Sequence, residues 1–278
     1  MGVMCKLMFS VLMSVYYNDN PKEFEDALLS VINQTIIPDE IVLVIDGPIP
    51  EATMEKIRLL KKEYPIIRVF PLEKNLGLGP ALNYGLEQCT YELVARMDSD
   101  DISVPNRFEK QLKCFEENPN LSVVGGFIDE FEKNPEYPIN TKSLPTNDKN
   151  IKKFLKYRNP INHQTVMFKR KDVEKVGGYK DWHFNEDYFL WIRMSENDFL
   201  FKNIDSILVH MRVNDKLFER RGGYKYFQNQ KKLMSYMLEH NIITYFVYIQ
   251  NILKRFLVQV LFPNRARRWI YKTFLRKR

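Results

Sequence analysis

The chain has 278 residues, 45% of them apolar, with 42 Lys and Arg against 35 Asp and Glu, a formal net charge of +7. That is one large domain, or one domain with an appendage, and a sizeable core; no internal repeat or low-complexity linker divides it, which excludes a repeat array. The positive balance points to an acidic partner: nucleic acid, a nucleotide or an anionic membrane surface. Cys5, Cys89 and Cys114 are odd in number and lack metal-ligand spacing, so a reducing cytoplasm is expected.

The N-terminal "MGVMCKLMFSVLMSV" is apolar but has no basic leader and no small-residue cleavage site, so it reads as a strand and not a signal peptide. Lys6 stands where a myristoylation signal needs Ser or Thr. "FSVLMSVYY" is a short buried strand. In the helix that follows, Asn20 is the expected N-cap, Pro21 the first residue, and Phe24, Leu28, Val31 and Ile32 the inner face. "EIVLVID" is a second strand, "EATMEKIRLLKKEYP" a helix with Met54, Ile57 and Leu60 inward, "IIRVFPL" a third strand, "GPALNYGLEQC" a helix and "YELVARMD" a fourth strand. Strands alternating with helices imply a mostly parallel sheet with helices on both faces. Ligands of such sheets bind beyond the carboxyl ends of the strands, where Asp46 and the acids of "MDSDD" fall.

Beyond residue 105 the pattern changes. "VPNRFEKQLKCFEENP" is helical, "LSVVGGFIDEF" a strand, and residues 132–150, rich in Pro and Asn, a mobile loop. "HQTVMFKR" reads as a strand, "DVEKVGGY" and "EDYFLWIRMSEN" as helices, and "FLFKNIDSILVHMRV" as one or two strands. From about residue 222 the chain is helical, apolar and basic.

Asp98, Asp100 and Asp101 crowd three carboxylates into four positions. Two acids at D-x-D spacing leaving a strand can turn toward one divalent cation, and hard oxygen ligands suit Mg²⁺ or Mn²⁺ holding substrate phosphates; a solvated acidic turn is the plain alternative. Glu186 and Asp187 open a helix, where acids complement the helix dipole or supply a general base. "GLG" at 77–79 is an incomplete dinucleotide fingerprint, and neither a P-loop nor a G-x-S-x-G elbow occurs.

In order along the chain, "FSVLMSVYYND", "ALLSVINQTIIPDEIVLVIDG", "NLGLGPALNYGL", "ARMDSDDISVPNRFEKQ", "HQTVMFKR", "VGGY" and "EDYFLWIRM" resemble glycosyltransferase family 2, of the GT-A fold, over about residues 8–225. The resemblance implies a Rossmann-like α/β catalytic domain over 1–221, with a nucleotide-binding half (1–105) and an acceptor-binding half (106–221), plus a helical C-terminal extension over 222–278. It implies an inverting transferase in bacterial capsule, O-antigen or exopolysaccharide synthesis. Val15, Tyr16, Asp46, Asn75, Asn83, Asp98, Ser99 and Asp100 would bind the nucleotide-sugar, a UDP-sugar, with Asp98 and Asp100 also holding Mn²⁺ or Mg²⁺. Asp187 would be the base, with Glu186 as its neighbour or substitute. His163, Arg220 and Arg221 would contact the acceptor or a phosphate. Two departures stand out: Ile45, not a second acid, precedes Asp46, and Asn214 in "MRVND" replaces a histidine common in relatives.

Competing readings are a nucleotidyltransferase, which also uses paired acids but needs a Gly-rich basic loop after its first strand, and a basic nucleic-acid or membrane-binding protein. Nucleic acid is not expected, because the basic residues after 220 alternate with apolar ones and form no stripe on a polar face. In the tail, Gln250, Asn251, Lys254, Arg255 and Gln259 interrupt a run that would need ~20 apolar residues to span a bilayer. Basic residues mixed with Trp269, Tyr271 and Phe274 suit a helix lying on an anionic surface. The expected placement is cytoplasmic, peripheral on the inner face of the plasma membrane, beside a glycan or undecaprenyl-diphosphate-linked acceptor; the tail could instead pack on a second subunit.

Overall fold

The structure, a computed structural model, describes residues 7–182, 184–213 and 222–263. Its first half is an alternating run of β1 (Phe9–Val15), α1 (Pro21–Ile32), β2 (Glu40–Ile45), α2 (Glu51–Glu63), β3 (Ile67–Pro71), α3 (Leu78–Gln88) and β4 (Leu93–Met97). The strands lie in the order β3-β2-β1-β4, all parallel. The chain order reverses beside β1, which opens a crevice beyond the strand ends. Both faces are covered, which explains the unbroken apolar runs. Phe9, Val11 and Met13 of β1 share one core with Phe24, Leu28 and Val31 of α1 and Ile57 of α2, while Leu12 and Val44 meet Ala81 and Leu82 of α3 on the other face. α3 comes close because Gly85 has no side chain: a Cβ there would lie 2.4 Å from Leu12 Cδ1. Asn20 caps α1, its Oδ1 accepting from the backbone N–H groups of Lys22 (2.9 Å) and Glu23 (3.2 Å).

The second half extends this sheet. After the two-residue β5 (Ile102–Ser103) come α4 (Arg107–Glu117), β6 (Leu121–Phe131), β7 (Asn140–Lys142), α5 (Asp148–Leu155), a 3₁₀ turn (His163–Thr165), β8 (Met167–Lys169), α6 (Arg170–Lys175), α7 (Glu186–Glu196) and β9 (Leu200–Arg212). β8 runs antiparallel to both β4 and β6, β9 parallel to β6, and β5 and β7 antiparallel to β9 and β6. Buried polar side chains lock the halves together. Gln34 donates to the Ser103 hydroxyl (3.2 Å) and the Val104 carbonyl (2.8 Å), and Ser30 Oγ accepts from the Ser103 backbone N–H (3.0 Å). The S-x-x-x-Q-T turn therefore anchors the segment that follows the acids. Arg107, fully buried, donates to the Arg96 carbonyl at 2.7 Å, and Gln111 bridges the Val124 and Thr165 carbonyls, each at 2.8 Å.

Two segments differ from the sequence reading, and a third is made definite. Residues 132–150 are not a single mobile loop: β7 pairs with β6, and α5 begins at Asp148. Three residues are too few to display a strand's alternation, so the pairing was invisible locally. "HQTVMFKR" is half 3₁₀ turn and only three residues of strand. β9 is one 13-residue strand whose register against β6 shifts around Phe127. After residue 222 come α8 (Tyr224–Glu239), α9 (Tyr245–Phe256) and a π-helical turn (Leu257–Leu261). Leu233, Met234, Met237 and Ile243 join the core that holds α3 and α7, so these helices pack on the sheet domain.

Candidate active site

β4 delivers the acids. Its apolar residues bury it, and the chain turns at Asp98 where the strand stops. Carboxylate oxygens of Asp98, Asp100 and Asp101 lie within 4.8 Å of one another. Burial, then repulsion from Asp98 and Asp19, pushes the Asp100 carboxyl up to about 7. Burial and the Asp100 charge likewise raise that of Asp101. Asp101 is held in place by the Arg212 backbone N–H at 2.8 Å, and Arg96 is ion-paired with Asp98. Asp19, in the loop after β1, adds a fourth acid: it accepts from the Ser99 hydroxyl at 2.8 Å, and burial lifts it to about 6. Oxygens crowded at this density, with Arg96 as the cation ion-paired to Asp98, fit a divalent ion, which takes oxygen ligands and relieves the repulsion.

The cleft beyond these acids measures about 730 Å³ and is lined by Asp98, Asp100 and Asp101 together with Glu186 and Asp187. α7 begins there because Asn185 ends an irregular segment in which Phe184 takes φ +62°, a conformation that bulky side chains rarely adopt and that costs ~1–3 kcal/mol. Asp187 Oδ2 accepts from the Asn159 amide at 2.6 Å, and Oδ1 from the Tyr188 backbone N–H at 2.6 Å. Asn159 Oδ1 accepts from the Ile161 N–H at 3.2 Å, which fixes the amide with its NH₂ toward Asp187. Burial raises the Asp187 carboxyl against these bonds; burial and the Asp187 charge push Glu186 up to about 7. Two carboxyls that burial raises, Glu186 to about 7, suit proton transfer, while the bond to Tyr188 shows that the helix-terminal role is also filled.

The other sequence-predicted residues divide. Val15, Tyr16 and Asp46 sit at the ends of β1, which neighbours β4, and of β2, one strand farther along the sheet. Asp46 is buried, and its two oxygens accept from the backbone N–H groups of Leu76 (2.7 Å) and Gly77 (3.1 Å). Asn75 donates to the Asp46 carbonyl at 3.1 Å. Asn83 spends its amide on Tyr179, donating to its carbonyl (2.6 Å) and accepting from its N–H (2.7 Å), and so staples the "VGGY" turn to α3. His163 lines the cleft, but burial keeps its ring neutral and Nε2 lies 2.9 Å from the Tyr179 hydroxyl; it offers a neutral contact and no charge. Arg220, Arg221 and Asn214 lie outside the described residues.

Sequence reasoning placed Asp101 among the crevice acids but gave it no role, and it missed Asp19, Arg96, Asn159 and the wall formed by α8 and α9. "RMDSDD" already holds Arg96 and Asp101; Asn159 has no local signal, because its partner is 28 residues away.

Residues 10–177 match the family described as Glycosyl transferase family 2. The chain belongs to that family. This glycosyltransferase is 39% identical over 269 residues, 97% of either chain, to an Escherichia coli UDP-Gal:alpha-D-GlcNAc-diphosphoundecaprenol beta-1,3-galactosyltransferase. It is 38% identical to the amylovoran biosynthesis glycosyltransferase AmsE of Erwinia amylovora, over 81% of this chain and 84% of that one. Among solved structures it shares its GT-A fold with S. aureus TarS 1-349 in complex with UDP-GlcNAc (TM-score 0.68, 16% identity, 91% of this chain and 74% of that one). It shares it also with the mannosyltransferase PcManGT from Pyrobaculum calidifontis in complex with GDP-Man and Mn2+ (TM-score 0.65, 15% identity, 92% and 71%).

Proposed function

We propose that this glycosyltransferase moves a sugar from a UDP-sugar to a lipid-linked acceptor in bacterial surface-polysaccharide synthesis, with inversion and with a divalent cation, at the inner face of the plasma membrane. The observation that carries the reading is one cleft lined by both the Asp98–Asp100–Asp101 cluster and the Glu186–Asp187 pair. In-line displacement needs a leaving-group stabiliser and one base. Asp98 and Asp100, with Asp101 beside them, would hold Mn²⁺ or Mg²⁺, which when bound neutralises charge on the departing diphosphate. The loop that Asp46 and Asn75 hold between β3 and α3 lies beside the uridine position. Asp187, oriented by Asn159, takes the proton of the acceptor hydroxyl, and burial raises its affinity for that proton. The acceptor class is supported by the E. coli relative, whose name specifies a diphosphoundecaprenol-linked GlcNAc.

The test is a screen of nucleotide-sugars with Mn²⁺, scored by donor hydrolysis and thermal shift. Asp100→Ala is expected to abolish hydrolysis and the metal-dependent part of UDP affinity without unfolding the chain. Metal-dependent turnover at wild-type rate in that variant would overturn the assignment.

A further inference from the structure

The cleft has a second wall. Besides Arg96 and Arg212, which are tied to the acid cluster, four cations line it: Lys142 of β7, Arg158 after α5, and Lys254 and Arg255 of α9. Arg255 is clamped by three neutral acceptors. It donates to Gln230 Oε1 (3.1 Å), Asn251 Oδ1 (3.0 Å) and the Tyr157 carbonyl (2.8 Å). None of these is a carboxylate, so the guanidinium is oriented while its charge is left for something else. The fields of Arg255 and Arg158 both reach the hydroxyl of Tyr188, the residue after Asp187. Lys254 is exposed and has no partner among the described residues. On the same helix and the turn that continues it, Leu253, Leu257 and Leu261 are exposed at a spacing of four, Leu253 by 63%.

A lipid-diphosphate acceptor carries its groups in a matching sequence: a sugar hydroxyl for the base, then two phosphates, then a hydrocarbon chain. Phosphate oxygens are bound strongly by charge-assisted hydrogen bonds, and a guanidinium fork oriented by neutral acceptors, as that of Arg255 is, suits them best. We propose that Arg158, Lys254 and Arg255 form the subsite for the acceptor's diphosphate, with Leu253, Leu257 and Leu261 receiving the first part of its prenyl chain. This rests on the transferase reading above and assigns to the C-terminal helices the recognition of the acceptor. The subsite is cation-independent, unlike the donor's diphosphate site at the three aspartates.

The test is calorimetric titration of the full-length chain with farnesyl diphosphate in EDTA, which silences the metal site. Farnesyl diphosphate should bind. Lys254→Ala and Arg158→Ala should each weaken it by about tenfold or more, Lys254→Arg should restore it, and the melting temperatures should stay at the wild-type value. Wild-type affinity in both alanine variants overturns the proposal. So does inorganic pyrophosphate binding as tightly as farnesyl diphosphate, which would mark a site for a free anion, or farnesol binding as tightly, which would leave the charges without a role. A chain that hydrolyses a nucleotide-sugar but ignores farnesyl diphosphate overturns the subsite alone. A chain that binds farnesyl diphosphate through Lys254 and hydrolyses no nucleotide-sugar overturns the transferase reading and keeps the subsite.

Discussion

Asp187 is held from two sides, by the Asn159 amide and the Tyr188 backbone N–H, so the shape of the site survives loss of its charge. Asp187→Asn is expected to cut turnover by ~10²–10⁴-fold while UDP affinity stays within a factor of two or so, as read by single-turnover kinetics and calorimetry. If Glu186→Gln is the dead variant and Asp187→Asn the active one, the two acids exchange roles. Glu186 also makes a stability prediction. Its carboxyl is pushed up to about 7 in the folded chain, above the ordinary carboxylate range, so the folded state binds that proton more tightly than the unfolded state. Its contribution to stability is therefore present at low pH and is lost as pH rises toward and through 7. Glu186→Gln, which cannot ionise, should raise the melting temperature at pH 8 and change it little at pH 4, and a uniform shift across that range would discount the buried charge.

At the level of elements, the turn after β2 depends on an absent side chain. Gly47 takes φ +80°, and a Cβ on it would lie 2.4 Å from the Asn75 backbone nitrogen. The same contact brings Asp46 against the Leu76 and Gly77 N–H groups, so the loop between β3 and α3 is set by this one turn. Gly47→Ala combines an unfavourable dihedral with a backbone clash and should cost ~1–3 kcal/mol in denaturant unfolding. Its nucleotide affinity should fall further than that of a surface variant of equal stability. Equal losses would mean that the loop does not touch the nucleotide.

For the whole molecule, the position of a truncation decides its effect. Among the described residues no helix is long and apolar enough to cross a membrane, yet Ile243, Asn251 and Gln259 are buried. Removing residues 264–278, which carry Arg265, Arg267, Arg268, Lys272, Arg276, Lys277 and Arg278, should weaken retention on anionic liposomes at low salt while donor hydrolysis persists. Removing residues 241–278 strips α9 from the cleft and should lower the melting temperature and abolish transfer. If it instead leaves a chain of wild-type stability and transfer rate, α9 is an appendage.

The parallel block, its helices and the acids at the strand ends were determined by sequence alone, because each signal is local: apolar runs bounded by caps, and carboxylates where a run stops. The order of motifs along the chain carried the family in the same way. Tertiary structure decided the rest, since it depends on residues far apart in the chain. Asn159 reaches Asp187 across 28 positions, Arg212 meets Asp101 across 111, and Arg255 meets the Tyr157 carbonyl across 98. A buried polar side chain is legible only with its partner, and a helix that walls a cleft has the same apolar periodicity as one that lies on a membrane; only the seating of Val247, Tyr248 and Ile252 against the core tells them apart.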